Sequence, residues 1–194
     1  MRRLSHDLRG SCANLRMGLQ ASQANPELFS ALAPSMSQEV ESLDRRLQQL
    51  SWLGRAPFPQ LQDASPKRCI ERWSPNGTAL ELQDFEASFD IDLVEAAFDQ
   101  LVANAQSHGK GLKRVSLCQA PENWTLSLED HGPGWPEGLP EWLQQTGWKL
   151  WQGQPALGLS LASAVATGHR GSLKLIHSNE GGAIAQMIFP RGDR

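Results

Sequence analysis

The sequence predicts an α+β protein in two parts: a helical hairpin that forms a four-helix bundle as a dimer, then an α/β sandwich. Three observations carry this. Apolar residues recur three and four apart from Leu4 to Leu53, the period of a helix face. Proline and polar residues crowd residues 54–68, which have no such stripe. Beyond them, alternating strand-like runs flank two helix-like runs, a pattern of helices laid on one face of a mainly antiparallel sheet. A chain of 194 residues with 40% apolar content can fill one large domain or two small ones.

Leu4, Leu8, Leu15 and Leu19 line one face of a first helix. Asn25 then suits a cap, Pro26 the first helical position and Glu27 the positive end of a second helix. Pro34 is expected to kink or restart that helix, after which Met36, Val40, Leu43, Leu47, Leu50 and Leu53 form a coiled-coil-like stripe. Two helices alone cannot bury two stripes, so the hairpin should be a homodimer. The expected divisions are a hairpin over 1–54, a linker over 55–67 and a second domain over 68–194.

In that second domain, ALELQDF (79–85) alternates like a strand, and Asp90 or Asp92 can cap a helix through Leu93, Phe98, Leu101 and Val102. RVSLCQ (114–119) and WTLSLED (124–130) read as paired strands. A helix over 157–167 stops at Gly168, and SLKLIHS (172–178) turns through NEGG into AIAQMIF (183–189) as a terminal hairpin.

The formal charge is −3 with signs mixed along the chain, so neither nucleic acid nor an acidic membrane is expected as a main partner. Cys12, Cys69 and Cys118 stand far apart with no metal-ligand spacing, as free thiols in a reducing compartment do. No apolar run approaches the ~18–20 residues of a membrane span. A cytoplasmic location is expected.

Four short stretches carry candidate chemistry. In SHDLRG (5–10), His6 on a helix face can act as a nucleophile near neutral pH, and Asp7 beside it can hold its tautomer or take its proton. A helix-surface His–Asp pair is more often merely solvated. In DQLVANAQSHG (99–109), Asn104 and His108 fall four apart on one helix face, an amide oxygen for Mg²⁺ and an imidazole for phosphate, or simply a polar helix end. LEDHGPGWPEG (128–138) leaves a strand with Asp130, which can accept from a purine amino group, and with Gly132 and Gly134, which let backbone approach the base; a plain Gly-Pro turn is the alternative. ALGLSLA (156–162) sets Gly158 at a helix start suited to an anion. His131, His169 and His177 show no convergent spacing, and turn or surface roles are expected for them.

In order, these stretches resemble the histidine kinases. SHDLRG is similar to their phosphoacceptor box, ANAQSH to their asparagine box, DHGPGWPE to their first glycine box and LGLSLASAVATGHRGSL to their second. The resemblance runs from Ser5 to Pro190. It implies a dimerisation and phosphotransfer hairpin followed by an ATP-binding domain of the fold shared with gyrase, Hsp90 and MutL. By that resemblance His6 accepts the γ-phosphoryl group of ATP with Asp7 activating it, and Asn104 ligates Mg²⁺. Asp130 binds the adenine amino group, and Gly132, Gly134 and Gly158 shape the pocket. The phosphoryl group then passes to an aspartate on the receiver domain of a response regulator.

Departures from the family pattern matter. Gln100 stands where a second asparagine is usual, and Ser107 where a basic residue is usual, with Lys110 close by. In the second glycine box Gln154, Pro155 and Ala156 precede Leu157 and Gly158, so two glycines are missing; Gly153 is the nearest substitute. Trp148 and Trp151 resemble paired lid aromatics, or are ordinary core. Gly10 stands four after His6, where family members that dephosphorylate their partner usually have Thr or Asn, so phosphatase activity is expected to be weak. His6 lies one turn from the start, which implies either a piece of a longer sensor or input from another protein. The altered glycine box keeps a second reading open, a phosphotransfer or scaffold protein of the same fold without productive ATP binding. A serine kinase sharing the ATP domain has no use for His6.

Overall fold

The computed structural model describes residues 2–71, 77–144, 150–151 and 154–191, with backbone alone for residues 2–8, 150, 154 and 155. The chain divides into two compact units, Met1–Ser51 and Trp52–Arg194. In chain order the elements are α1 (Arg2–Ala24), α2 (Glu27–Arg55), β1 (Gln62–Ala64), α3 (Pro66–Glu71), β2 (Ala79–Leu82), β3 (Ala87–Phe89), α4 (Ile91–His108), β4 (Leu112–Gln119), β5 (Asn123–Asp130), α5 (Leu139–Leu143), β6 (Leu150–Trp151), β7 (Gln154–Pro155), α6 (Leu157–Gly168), β8 (Ser172–His177) and β9 (Ala183–Pro190).

The first unit is the expected pair of helices. Asn25 breaks the chain between them, and its Oδ1 accepts from the Glu27 amide at 3.1 Å. Contrary to the expectation of a restart, α2 runs through Pro34 as one helix. Proline removes a single ladder hydrogen bond, and helix formers on both sides carry the ladder past it. Gly18 lets the two helices close up, since a Cβ there would stand 2.9 Å from Met36 Sδ. Apolar side chains remain uncovered: Met17, Leu19, Val40 and Leu47 are each more than half exposed.

The second unit is built on a five-stranded sheet of order β2-β4-β5-β9-β8. Its neighbours are antiparallel except β2 and β4, which run parallel. Period-two alternation sends Trp124, Leu126, Leu128 and Asp130 of β5 to the inner face. There they meet the apolar stripes of α4, among them Leu93, Phe98 and Leu101, and of α6, Leu161 and Val165. Trp124 stacks on Phe189 with ring centroids 4.2 Å apart. Each fully buried Leu or Phe contributes roughly 1.5–3 kcal/mol. No helix among the described residues is long and apolar enough to cross a membrane.

The stretch read as a linker, 55–67, holds β1, which pairs with β3, and the first residues of α3. A strand of three residues has no alternation to read, so its partner decides it. This stretch is also fastened by Asp90, the N-cap of α4. Asp90 Oδ1 accepts from the Leu93 amide at 3.1 Å, while Oδ2 accepts from the Gln60 amide at 2.7 Å and Arg55 Nη2 at 2.8 Å. Its own amide donates to His169 Nε2 at 2.9 Å. A backbone N–H can only donate, so Nε2 carries the lone pair and Nδ1 the proton, directed to the Val165 carbonyl at 2.8 Å. His169 is therefore a buried, neutral tie between α4 and α6, within a turn as expected but not at the surface, and burial lowers its pKa.

Gly168 closes α6 for a different reason than expected. The left-handed residue after the helix is Arg170, at φ 62°, with the Gly171 amide bonded to the Ala166 carbonyl. A Cβ on Gly168 would overlap the Ala56 carbonyl, so glycine is needed there for close approach.

Candidate functional site

α4 and β5 end side by side, and the loop after β5 turns back beneath the start of α6. A cavity of about 550 Å³ opens between them, lined by Asn104, His108, Asp130, Gly134 and Gly158. Helical spacing puts Gln100, Asn104, Ser107 and His108 on the cavity side of α4 while Leu101, Val102 and Ala105 face the core. Trp135, Leu139 and Trp151 give the cavity its apolar wall.

Asp130 is the most constrained of these residues. It is buried, and its Oδ1 accepts from the Gly132 amide at 2.9 Å and the Ala183 amide at 2.8 Å. Oδ2 accepts no hydrogen bond among the described residues. Gly109 lies directly against this carboxylate, where any Cβ would overlap Oδ2. One oxygen is thus locked by the backbone, and the other retains its accepting capacity at the cavity. Such a carboxylate suits a planar ligand bearing an amino group. Among the described residues the Asn104 side-chain amide also makes no hydrogen bond, so its oxygen is free to serve an outside group.

The glycines act by proximity. Gly134 sits at φ 93°, and a Cβ there would stand 2.6 Å from His177 Nδ1. Gly132 lies behind the cavity wall, where a Cβ would approach Gly109 Cα at 2.8 Å. Gly158 faces Gln100, with Oε1 3.4 Å from the position of a Cβ. It is the second residue of α6, whose N-cap, Ala156, supplies no side-chain hydrogen bond. The first amides of α6 are left to other acceptors, the arrangement that favours an anion.

Among the described lining residues Asp130 and His108 are the only titratable groups, and no Lys or Arg is present. No group of three or more His, Cys, Asp or Glu placed to hold a metal ion occurs among the described residues. A magnesium ion carried on a polyphosphate needs only one or two protein oxygens, which the free Asn104 amide fits. Trp142, on α5, stands edge-on to Trp151 at 5.8 Å. The altered glycine box forms a small ribbon, with β6 paired to β7.

Five of the residues singled out from the sequence therefore share one cavity, and Gly132 supports it from behind. His6 and Asp7 fall within α1, but their side chains lie outside the described residues, as do Trp148 and Gly153. Sequence reasoning missed Gly109 and the Ala183 amide, both of which hold Asp130. The Gly-Gly pair before Ala183 was read only as a hairpin turn.

A family model described as "Histidine kinase-, DNA gyrase B-, and HSP90-like ATPase" matches residues 89–193. The signal transduction histidine-protein kinase AfsQ2 of Streptomyces coelicolor is 29% identical over 110 residues, 54% of this chain and 21% of that protein. The match spans 20% of the sensor histidine kinase GtrS of Pseudomonas aeruginosa and 54% of a probable sensor histidine kinase of Mycobacterium tuberculosis. Among solved structures, the Acinetobacter baumannii histidine kinase AdeS superposes with a TM-score of 0.71 at 21% identity, covering 97% of this chain and 98% of that one. Histidine kinase ThkA in complex with response regulator protein TrrA gives a TM-score of 0.73 at 16% identity, covering 98% of this chain and 60% of that one.

Proposed function

Because the chain belongs to the family of histidine kinase-, DNA gyrase B- and HSP90-like ATPases, we propose that it is an ATP-dependent protein-histidine kinase core. The observation that carries this reading is the meeting of Asn104, His108, Asp130, Gly134 and Gly158 around one cavity. The Asp130 Oδ2 accepts from the adenine amino group, and Gly132 and Gly134 give the base its room. Asn104 holds Mg²⁺, which supplies charge neutralisation to the phosphates when bound. His108 and the first amides of α6 face the phosphate end.

His6 is the phosphoacceptor. Its ring nitrogen attacks the γ-phosphorus, the bond to the β–γ bridging oxygen breaks, ADP leaves, and the imidazole proton passes to Asp7. Positioning and charge neutralisation supply most of the acceleration in such a transfer. The phosphoryl group then moves to an aspartate of a response-regulator receiver domain, the kind of partner with which the structurally similar ThkA was solved. Uncovered Met17, Leu19, Val40 and Leu47 support pairing of the hairpin with a second copy.

One observation favours a second reading, a phosphotransfer or scaffold protein of the same fold. Gln154 and Ala156 stand where the second glycine box has two glycines, just before α6. The deciding experiment is incubation with γ-labelled ATP and Mg²⁺, comparing the parent chain with His6→Ala and Asn104→Ala. Acid-labile label that disappears in both variants is expected. Absence of label, with His6 still phosphorylated in reverse by a phosphorylated regulator, would replace the kinase reading by the scaffold.

A further inference from the structure

Glu129 precedes Asp130 on β5 and so points to the opposite face of the sheet. Its Oε1 accepts from Ser178 Oγ at 2.7 Å and from Lys113 Nζ at 2.9 Å. Lys113 also reaches Glu180 Oε2 at 2.7 Å. The Glu129 side chain is only 12% exposed, so this is not a loose surface pair. The hydrogen bond from Ser178, and then Lys113, hold Glu129 below the ordinary carboxylate range against the opposing effect of burial.

Ser178 and Glu180 belong to the turn between β8 and β9, so the cluster fastens that turn from outside the cavity. The same turn touches the cavity's base end from inside. Ser178 donates its amide to the Gly182 carbonyl at 3.1 Å. Gly182, at φ 106°, lies so close to the Asp130 carbonyl that a Cβ would overlap it. The next residue, Ala183, sends its amide to Asp130 Oδ1 at 2.8 Å. His177, where the turn begins, abuts Gly134. The Glu129 cluster and the direction of the Asp130 carboxylate are thus linked through five residues of one turn, 178–182.

We propose that Ser178, Glu129 and Lys113 are positioning residues that set the cavity's preference for adenine over guanine, by locking the β8–β9 turn so that Asp130 presents Oδ2 to the base. The proposal rests on the reading of Asp130 as the acceptor for the base. Adenine places a donor amino group at the ring position where guanine places a carbonyl oxygen. A fixed carboxylate accepts from the first and repels the second, so discrimination depends on how firmly its direction is held. A loosened turn lets Asp130 rotate away from the base while the phosphate end, built from α4 and α6, stays as it is.

The test measures dissociation constants of Mg²⁺-ATP and Mg²⁺-GTP for the full chain as parent, Ser178→Ala, Glu129→Gln, Asp130→Asn and the Ser178→Ala/Asp130→Asn double variant, with melting curves as the folding check. Ser178→Ala is expected to weaken ATP about fivefold, the effect of roughly one hydrogen bond. GTP should stay within about twofold, Glu129→Gln should behave alike, and Ser178→Ala should add nothing to Asp130→Asn. Equal weakening of both nucleotides, a full additional fivefold loss on top of Asp130→Asn, or no effect of either cluster variant overturns the proposal. Failure of Asp130→Asn itself to change the preference for ATP overturns the reading of Asp130 and the proposal with it.

Discussion

Asp130→Asn and Asp130→Ala should separate two tasks performed by one side chain. Asparagine is isosteric, and its oxygen can keep accepting from the Gly132 and Ala183 amides that now bind Oδ1 at 2.9 and 2.8 Å. Its NH₂ group then occupies the place of Oδ2, beside Gly109. An adenine amino group meets a donor where it had a charged acceptor. Hydrogen bonds to charged groups contribute about 1.5–3 kcal/mol, so ATP affinity should fall roughly 10- to 150-fold. Fold stability should change by no more than about 1 kcal/mol. Alanine instead strands both backbone amides, at about 1–3 kcal/mol each when buried. It should therefore cost the fold about 2–6 kcal/mol in addition to the loss of affinity. Calorimetric titration with Mg²⁺-ATP and urea denaturation of the three proteins measure both quantities. Asparagine binding ATP within about twofold of the parent, or destabilising the fold as much as alanine does, would refute the division of labour between the two oxygens.

Asp99 on α4 has a buried Oδ1 with no hydrogen-bond partner, and burial, then the neighbouring Glu95, raises its pKa from 3.8 to about 6. The folded form then binds the proton more tightly than the unfolded one, so stability falls as pH rises from about 4 to 6. The full rise corresponds to ~3 kcal/mol, reduced to about 1 kcal/mol by partial exposure. Asp99→Asn should recover that amount at pH 7.5 and nothing at pH 3.5, read from urea midpoints. His169 has the opposite sign: its folded pKa is lowered, so stability is present above about 6.5 and is lost as pH falls toward the folded value. His169→Gln should remove that acid-side loss, and an unchanged pH slope would show that His169 does not titrate with unfolding. Gly168→Ala drives a methyl group into the Ala56 carbonyl and should lower stability by about 2–3 kcal/mol in a thermal melt.

Periodicity and capping made most of the fold legible, because each depends on a few neighbouring residues. α4 begins at the Asp90 cap, β4 and β5 pair as their alternation implied, and the terminal hairpin turns at Gly181 and Gly182, both at positive φ. The failures share a cause. β1 exists only because β3 lies beside it, and His169 is buried only because Asp90, distant in sequence, presents an amide to it. Gly168 was legible as a helix end, but its true constraint is a carbonyl from residue 56. The cavity residues were legible as motifs, whereas the groups that aim Asp130, Gly109 and the Ala183 amide, carry no local signature. A backbone N–H has no residue type to recognise.

The departures from the family pattern fall unevenly on the cavity, and this decides where the kinase and scaffold readings diverge. The end proposed for the base consists of Asp130, Gly132 and Gly134, which match the expected types, backed by the β8–β9 turn. The altered residues, Gln154 and Ala156, lie on β7 and at the entry to α6, beside the amides proposed to face the phosphates. Gln100 and Ser107 also line the cavity from α4 without adding a cation. On the proposed reading, recognition of the base is thus separable from retention of the phosphates. The kinase reading demands both that adenosine bind and that the phosphates add affinity, whereas the scaffold reading, without productive ATP binding, does not demand the second. A productive kinase binds Mg²⁺-ATP at least about tenfold more tightly than adenosine, because amides and metal must hold the γ-phosphoryl group in line for transfer. A scaffold with non-productive ATP binding gains no such affinity from the phosphates. Competition of adenosine against labelled Mg²⁺-ATP makes that distinction without requiring any turnover, and equal affinities would exclude the kinase reading even if base selectivity were intact.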